Sequence, residues 1–189
     1  TGLALTNDAL RSLSALARNI RYGAGLARLE GPTGGGKTFV AQAISHLMGL
    51  PFYGEPIHGE SKQAKWLGVF KPTSRGEYEL DQDTVFLENL ERGGVIALSE
   101  LNTAVKNGYA KLGWWLIPIA RGKREIELNE YPTCARDYKV IRRSERSLIV
   151  IDINPEETYE ARGKLPPLLE AFTPRIWIEG NLSLDETKS

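Results

Sequence analysis

The stretch Gly31-Pro32-Thr33-Gly34-Gly35-Gly36-Lys37-Thr38 satisfies G-x-x-x-x-G-K-[ST] at every fixed position. It follows the apolar run Leu26-Ala27-Arg28-Leu29 and precedes Phe39-Val40-Ala41-Gln42-Ala43-Ile44, so the spacing predicts a strand, a tight glycine loop and a helix in that order. That context separates a phosphate site from a glycine-rich turn that fits the pattern by chance. Each part has a physical use. Glycines let successive backbone N–H groups point into one concavity without Cβ clashes, and the positive end of the following helix faces the same space. Lys37 brings a point charge to the outer phosphates. Thr38 brings a hydroxyl to a Mg²⁺ ion, which keeps most of its waters and takes few protein ligands.

At 189 residues the chain can bury a proper core, and it reads as one domain or one with a small appendage. A formal net charge of 0 leaves no global field to draw it to nucleic acid or a membrane, so composition gives no argument for direct nucleic-acid binding. Cys134 is the only cysteine, which excludes an intrachain disulfide and a four-thiolate zinc site within one chain. No apolar run reaches the length of a membrane span, and the N-terminus lacks the basic-then-apolar layout of a signal peptide. The expectation is an intracellular protein, cytoplasmic or nuclear, with no membrane partner. The chain opens on Thr1 and ends soon after its last strand-like segment, as a piece of a longer protein would.

In chain order, Thr6 or Asn7 is placed to cap a lead-in helix through Arg18, with Leu10, Leu13, Leu16 and Ala17 near one face. This lead-in occupies residues 1–25, and an α/β nucleotide-binding core is expected over 26–180, with a tail at 181–189. The helix after the glycine loop runs to Met48 and stops at Gly49, with His46 at its end, where a dipole-matched or solvated residue is the plainer reading than a base. Pro51 to Gly54 suggests a second strand and Ser61 to Leu67 a short helix. Near 68–80 lies a turn-rich insertion, then a capped helix from Asp83 to Glu91. Exposed loops on rigid scaffolds carry contacts, but a plain surface hairpin fits equally. Val95-Ile96-Ala97-Leu98 and Ser147-Leu148-Ile149-Val150-Ile151 are short apolar runs of the kind that form buried parallel strands. Between them come a helix from Tyr109 to Ile117 and two alternating segments near 124–141 that suit a hairpin. Leu165 to Phe172 reads as a helix and Arg175 to Ile178 as a final strand. Strands alternating with helices make an α/β parallel sheet, with its ligand beyond the carboxyl ends of the strands.

Three apolar strands end in polar residues at that edge: the glycine loop, Ser99-Glu100, and Asn154. In-line attack on a terminal phosphate needs a carboxylate to orient or deprotonate water and a polar group to hold that water. Glu100 and Asn154 are placed for those jobs, against a plainer account in which Glu100 caps a helix and Asn154 makes an Asn-Pro turn.

With these motifs in this order, the sequence from about Leu26 to Ile178 resembles the AAA+ ATPases, specifically the dynein-related and midasin-like branch with relatives among MoxR-type ring chaperones. The fold so implied is a P-loop NTPase parallel sheet sandwiched by helices, the AAA+ core. In that family a Walker A loop, here Gly31 to Thr38 with Phe39 adjoining, binds ATP or ADP. A Walker B strand ends in Asp-Glu, here Val95 to Glu100, and a sensor-one Asn precedes Pro, here Asn154-Pro155. The insertion near 68–80, the hairpin near 124–141 and the loop Tyr159 to Leu165 are similar to the family's own. By this resemblance Lys37, Glu100 and Asn154 are the catalytic candidates, with Thr38 and Ser99 at the Mg²⁺.

Two departures bear on activity. Ser99 stands where the family has the Walker B Asp, and an uncharged hydroxyl lowers the field on the metal, so nucleotide binds while hydrolysis slows. Ala171-Phe172 stands where the family has Arg-Phe, the arginine that enters the neighbouring subunit's site. Arg162 and Arg175 are nearby candidates for that trans role, and either equally suits a surface salt bridge. The family's C-terminal helical lid would begin after Gly180 and is absent from these residues. The resemblance implies a weakened ATPase in a homo- or hetero-oligomeric ring that remodels a protein or ribonucleoprotein. The alternative is a degenerate domain that holds nucleotide as a structural or regulatory element; a P-loop kinase is disfavoured because no acceptor lid is evident. Arg136, Lys139, Arg142, Arg143 and Arg146 form a basic cluster that suits either a solvated hairpin face or a polyanion contact. Of Trp114 and Trp115, about 100° apart on a helix, one is expected in the core and the other toward a partner.

Overall fold

In the computed structural model the chain is described over residues 7–57, 66, 68–72, 74–76, 78–81, 84–102, 116–127, 140–155 and 164–178. In chain order these hold α1 (Asn7–Arg21), β1 (Leu26–Glu30), α2 (Lys37–Leu47), β2 (Phe52–Pro56), β3 (Val69–Pro72), β4 (Tyr78–Asp81), α3 (Val85–Arg92), β5 (Val95–Ser99), β6 (Glu125–Glu127), β7 (Val140–Arg142), β8 (Leu148–Ile153), α4 (Pro167–Phe172) and β9 (Arg175–Trp177). Residues 116–120 are also helical.

Five strands form one parallel sheet in the order β2-β5-β8-β1-β9. β5 and β8 read as unbroken apolar runs because both of their faces are covered. Side chains alternate between the faces. Val95, Ala97, Leu148, Val150, Ala27 and Leu29 pack against Leu13, Leu16 and Ile20 of α1 and Val40, Ala41 and Ile44 of α2. Ile96, Leu98, Ile149, Ile151 and Leu26 pack on the opposite face with Phe86, Leu87 and Leu90 of α3, Leu116 and Ile119, and Leu169 of α4. A sheet between two helical layers is therefore the fold, and its carboxyl edge opens where β1 and β8 run side by side.

Several local expectations are revised. On α1, Leu10 is 45% exposed and Ile20 completes the buried stripe with Leu13 and Leu16, a spacing of three and then four residues that follows the helical period. Thr6, one of the two candidate caps, lies outside the described residues, and Asn7 is already the first residue of α1. The last helix begins at Pro167 rather than Leu165. Consecutive prolines explain this, since Pro166 biases Leu165 toward extended backbone while Pro167 is tolerated in the first helical turn.

β3 and β4 pair antiparallel from Val69↔Asp81 to Pro72↔Tyr78, closed by a turn containing Gly76 at φ 76°. β6 and β7 pair likewise, and the alternation predicted there puts Ile126 and Ile141 opposite one another, both buried. α3 starts at Thr84, whose Oγ1 accepts from Leu87 N–H at 3.2 Å and donates to the Trp66 carbonyl at 2.6 Å. The basic cluster is not one surface. Arg143 is buried and bonded to backbone carbonyls, whereas Arg142 is exposed with Glu125 4.0 Å away. Arg136, Lys139, His58, Cys134, Trp114, Trp115, Arg162, most of the Tyr109–Ile117 and Ser61–Leu67 segments and the 181–189 tail lie outside the described residues.

Candidate phosphate and metal site

The glycine loop leaves β1 at Glu30 and enters α2 at Lys37, so its amides lie at the N-terminus of that helix. Gly34 and Gly36 have φ of 78° and 81°, a left-handed region that costs other residues about 1–2 kcal/mol. No atom lies within 4 Å of a Cβ built on Gly34, so the loop is open on that side. Gly31 is glycine for a different reason. A Cβ there would stand 2.2 Å from the Ile178 carbonyl oxygen, which packs against the loop's first residue.

Lys37 is buried, and its Nζ donates to Gly31 O at 3.0 Å, Pro32 O at 2.8 Å and Asn154 Oδ1 at 2.7 Å. The ammonium thus lies back on its own loop, held by neutral acceptors. A phosphate oxygen is a stronger, charged acceptor for the same three N–H donors. Asn154 reaches Lys37 because it follows β8, the strand beside β1, and its own carbonyl accepts from Asn102 Nδ2 at 3.2 Å.

One pocket of about 330 Å³ is lined by residues 33–39 together with Ser99, Glu100, Asp152 and Asn154. All these loop, strand-end and helix residues therefore face a common space at the carboxyl edge. A depression of about 490 Å³ also runs along α1, but its lining comes from that helix alone and brings no strand-end chemistry.

Asp152 was not among the candidates read from sequence. It is 6% exposed; its Oδ1 accepts from Glu100 N–H at 3.1 Å, and its Oδ2 lies 3.4 Å from Thr38 Oγ1. Its signal was present as a single acid near the end of the run Leu148-Ile149-Val150-Ile151-Asp152-Ile153. A carboxylate ending a buried strand is what a metal site wants, but it lies on a different strand from the one where the motif order placed it. Glu100 takes φ 59° directly after β5, so a non-glycine residue holds a left-handed conformation at the pocket's rim. Such strain persists where surrounding contacts over-determine it, and Asp152 supplies one of those contacts.

Thr38 and Asp152 bring together hard oxygens of the kind Mg²⁺ takes. Two oxygens bound to one Mg²⁺ can be up to roughly 4 Å apart, and the Thr38 to Asp152 separation of 3.4 Å falls inside that span. Among the described residues no group of three or more His, Cys, Asp or Glu could hold an ion unaided. Water and phosphate oxygens would complete the coordination.

Arg175 lies apart from this pocket. Its Nε is 2.8 Å from Glu30 Oε2, its Nη2 donates to Glu30 Oε1 at 3.1 Å, and its guanidinium stacks 5.0 Å from the Trp177 ring. No helix among the described residues is long and apolar enough to cross a membrane.

No known-family profile matches the chain, and no curated protein matches it. Solved structures do. A candidate ATPase from Cytophaga hutchinsonii is similar at TM-score 0.58 and 17% identity, over 90% of this chain and 49% of that one. NtrX from Brucella abortus, in complex with ADP, is similar at TM-score 0.55 and 17% identity, over 94% of this chain and 38% of that one. The chain thus spans about half the length of the first of these structures and less of the second. These likenesses show the fold alone, a parallel five-stranded sheet between two helical layers.

Proposed function

We propose that the chain is the nucleotide-binding core of an AAA+ ATPase. The carrying observation is that the glycine loop, Lys37, Thr38, Glu100, Asp152 and Asn154, drawn from three neighbouring strands and α2, line one pocket. The loop amides and Lys37 would bind the phosphates of ATP or ADP, and the ADP complex of similarly folded NtrX supports that ligand class. Thr38 and an acid of the pocket would hold Mg²⁺, whose charge would offset that developing on the phosphates. Glu100 and Asn154 both line the pocket; Glu100 would orient and deprotonate a water, and Asn154, freed once Lys37 turned to phosphate, would hold that water.

The sequence motifs support membership of the dynein-related and midasin-like branch, with assembly into a homo- or hetero-oligomeric ring that remodels a protein or ribonucleoprotein. Arg162 or Arg175 would then approach the next subunit's terminal phosphate, and Arg175 would first have to release Glu30 and Trp177. Ala171 at the end of α4 favours the second reading, a domain that holds nucleotide with little turnover. Calorimetry with ATP and ADP, alongside steady-state ATP turnover and light scattering, tests the proposal. Expected are binding of both nucleotides, slow turnover, and self-association under ATP. Binding without turnover selects the second reading, a strictly monomeric particle under ATP removes the ring, and no binding of either nucleotide overturns both readings.

A further inference from the structure

We propose that Asp152 is the carboxylate of the metal site, supplied from β8 in place of the acid that position 99 lacks on β5. The proposal rests on the nucleotide reading above and names a residue that the order of motifs would never select. Its first support is register. β5 and β8 are paired in parallel through Leu98↔Ile151, so one step further sets Ser99 beside Asp152. Residues level with each other on adjacent parallel strands present side chains to the same face, about 4.8 Å apart. Val95 and Ala97 on β5, and Leu148 and Val150 on β8, show that this is the face covered by α2, which carries Thr38. A carboxylate at 152 therefore starts one strand spacing from one at 99, on the same side and at the same height.

The second support is what the carboxylate touches. Oδ2 faces the Thr38 hydroxyl at 3.4 Å, and Oδ1 accepts the Glu100 backbone N–H at 3.1 Å. That pair of contacts leaves Asp152 between the loop threonine and the water-activating glutamate. The third support is electrostatic. Asp152 is 6% exposed, and no arginine or lysine forms an ion pair with it among the described residues. A buried carboxylate whose partners are a backbone amide and a long hydroxyl contact keeps oxygen lone pairs to give to a divalent cation. Under this assignment Ser99 does not mark a lost metal site; the acid has moved one strand across.

The test compares the parent chain with Asp152→Asn, which keeps the volume and an oxygen to accept from Glu100 N–H. ATP affinity is measured by calorimetry in chelator and in excess Mg²⁺, with Mn²⁺ paramagnetic resonance of the nucleotide complex as a second readout. The parent should bind ATP about ten- to a hundredfold more tightly with Mg²⁺. Asp152→Asn should still bind in chelator, lose most of that gain, and show a weakened Mn²⁺ signal. Adding Ser99→Asp to Asp152→Asn should restore the gain, because the carboxylate returns at the same height. Retention of the full Mg²⁺ gain by Asp152→Asn overturns the proposal, as does a parent that binds ATP with no gain. An Asp152→Asn chain that melts earlier and loses affinity equally in both buffers shows a mere staple between β5 and β8, which also overturns it. A parent that binds no nucleotide in either buffer refutes the function itself, an outcome distinct from these.

Discussion

Two buried cations sit at opposite ends of the same sheet, and both are held by neutral carbonyl oxygens, all from the backbone for Arg143 and two of three for Lys37. Lys37, at the carboxyl end, donates to Gly31 O, Pro32 O and Asn154 Oδ1. Arg143, before the amino end of β8, donates to Gly23 O at 3.0 Å, Ser147 O at 3.0 Å and Ser144 O at 3.2 Å. Their surroundings separate them. Lys37 adjoins an open pocket beside glycines that keep Cβ atoms out, so a charged ligand can replace its carbonyl partners. Arg143 is 2% exposed and fills its space. A Cβ on Gly25 would come within 2.8 Å of its guanidinium and 2.6 Å of Ile119 Cγ2. Burial, with Arg124 adding repulsion, holds the Arg143 pKa below its ordinary value, so the charge is tolerated there for the backbone it ties together. Burial of a cation is thus no sign of function by itself; access to an exchangeable partner is.

Mutation separates the roles of the two cations. Arg143→Ala strips donors from three carbonyls and opens a cavity, and should lower unfolding free energy by about 3–5 kcal/mol. Urea denaturation checks this, with nucleotide affinity of the folded fraction unchanged. Lys37→Ala should do the reverse: roughly a hundredfold loss of ATP affinity, about 2.7 kcal/mol, with stability within about 1 kcal/mol of the parent. A tightly binding Lys37→Ala variant, or a stable Arg143→Ala one, would erase the distinction drawn here.

Gly31→Ala tests whether the loop's first glycine serves ligand or scaffold. The added Cβ meets the Ile178 carbonyl, so a destabilisation of about 1–3 kcal/mol is expected in thermal melts, with or without nucleotide. Smallest of all, Glu100→Gly should relieve the left-handed strain and stabilise the chain by up to about 1 kcal/mol. The same change should abolish ATP turnover in a coupled assay, since it removes the carboxylate proposed to activate water.

Much of the fold was legible in the chain. The runs Val95–Leu98 and Leu148–Ile151 are apolar without alternation, which only a strand covered on both faces requires, and the structure places them at the centre of the sheet. Lys37, Thr38, Glu100 and Asn154 were selected from strand ends, and the pocket gathers all four. Arg143 was misjudged because a run of basic residues reads as a surface, and nothing local says that one of them turns inward under Gly25. Asp152 was passed over because motif order assigns the metal to one strand.

By itself, then, the sequence determined which strands are buried, where the phosphate loop lies, and which edge of the sheet carries the polar ends. These follow from local facts: side-chain period, glycine freedom and apolar run length. Tertiary structure alone decided that β5 and β8 are neighbours with Ser99 level with Asp152, that Asp152 faces Thr38 from 114 residues away, and that Gly31 makes room for Ile178. Lateral pairing is set by how whole faces pack, so a carboxylate can leave one strand and serve the same site from the next without altering the local pattern of either.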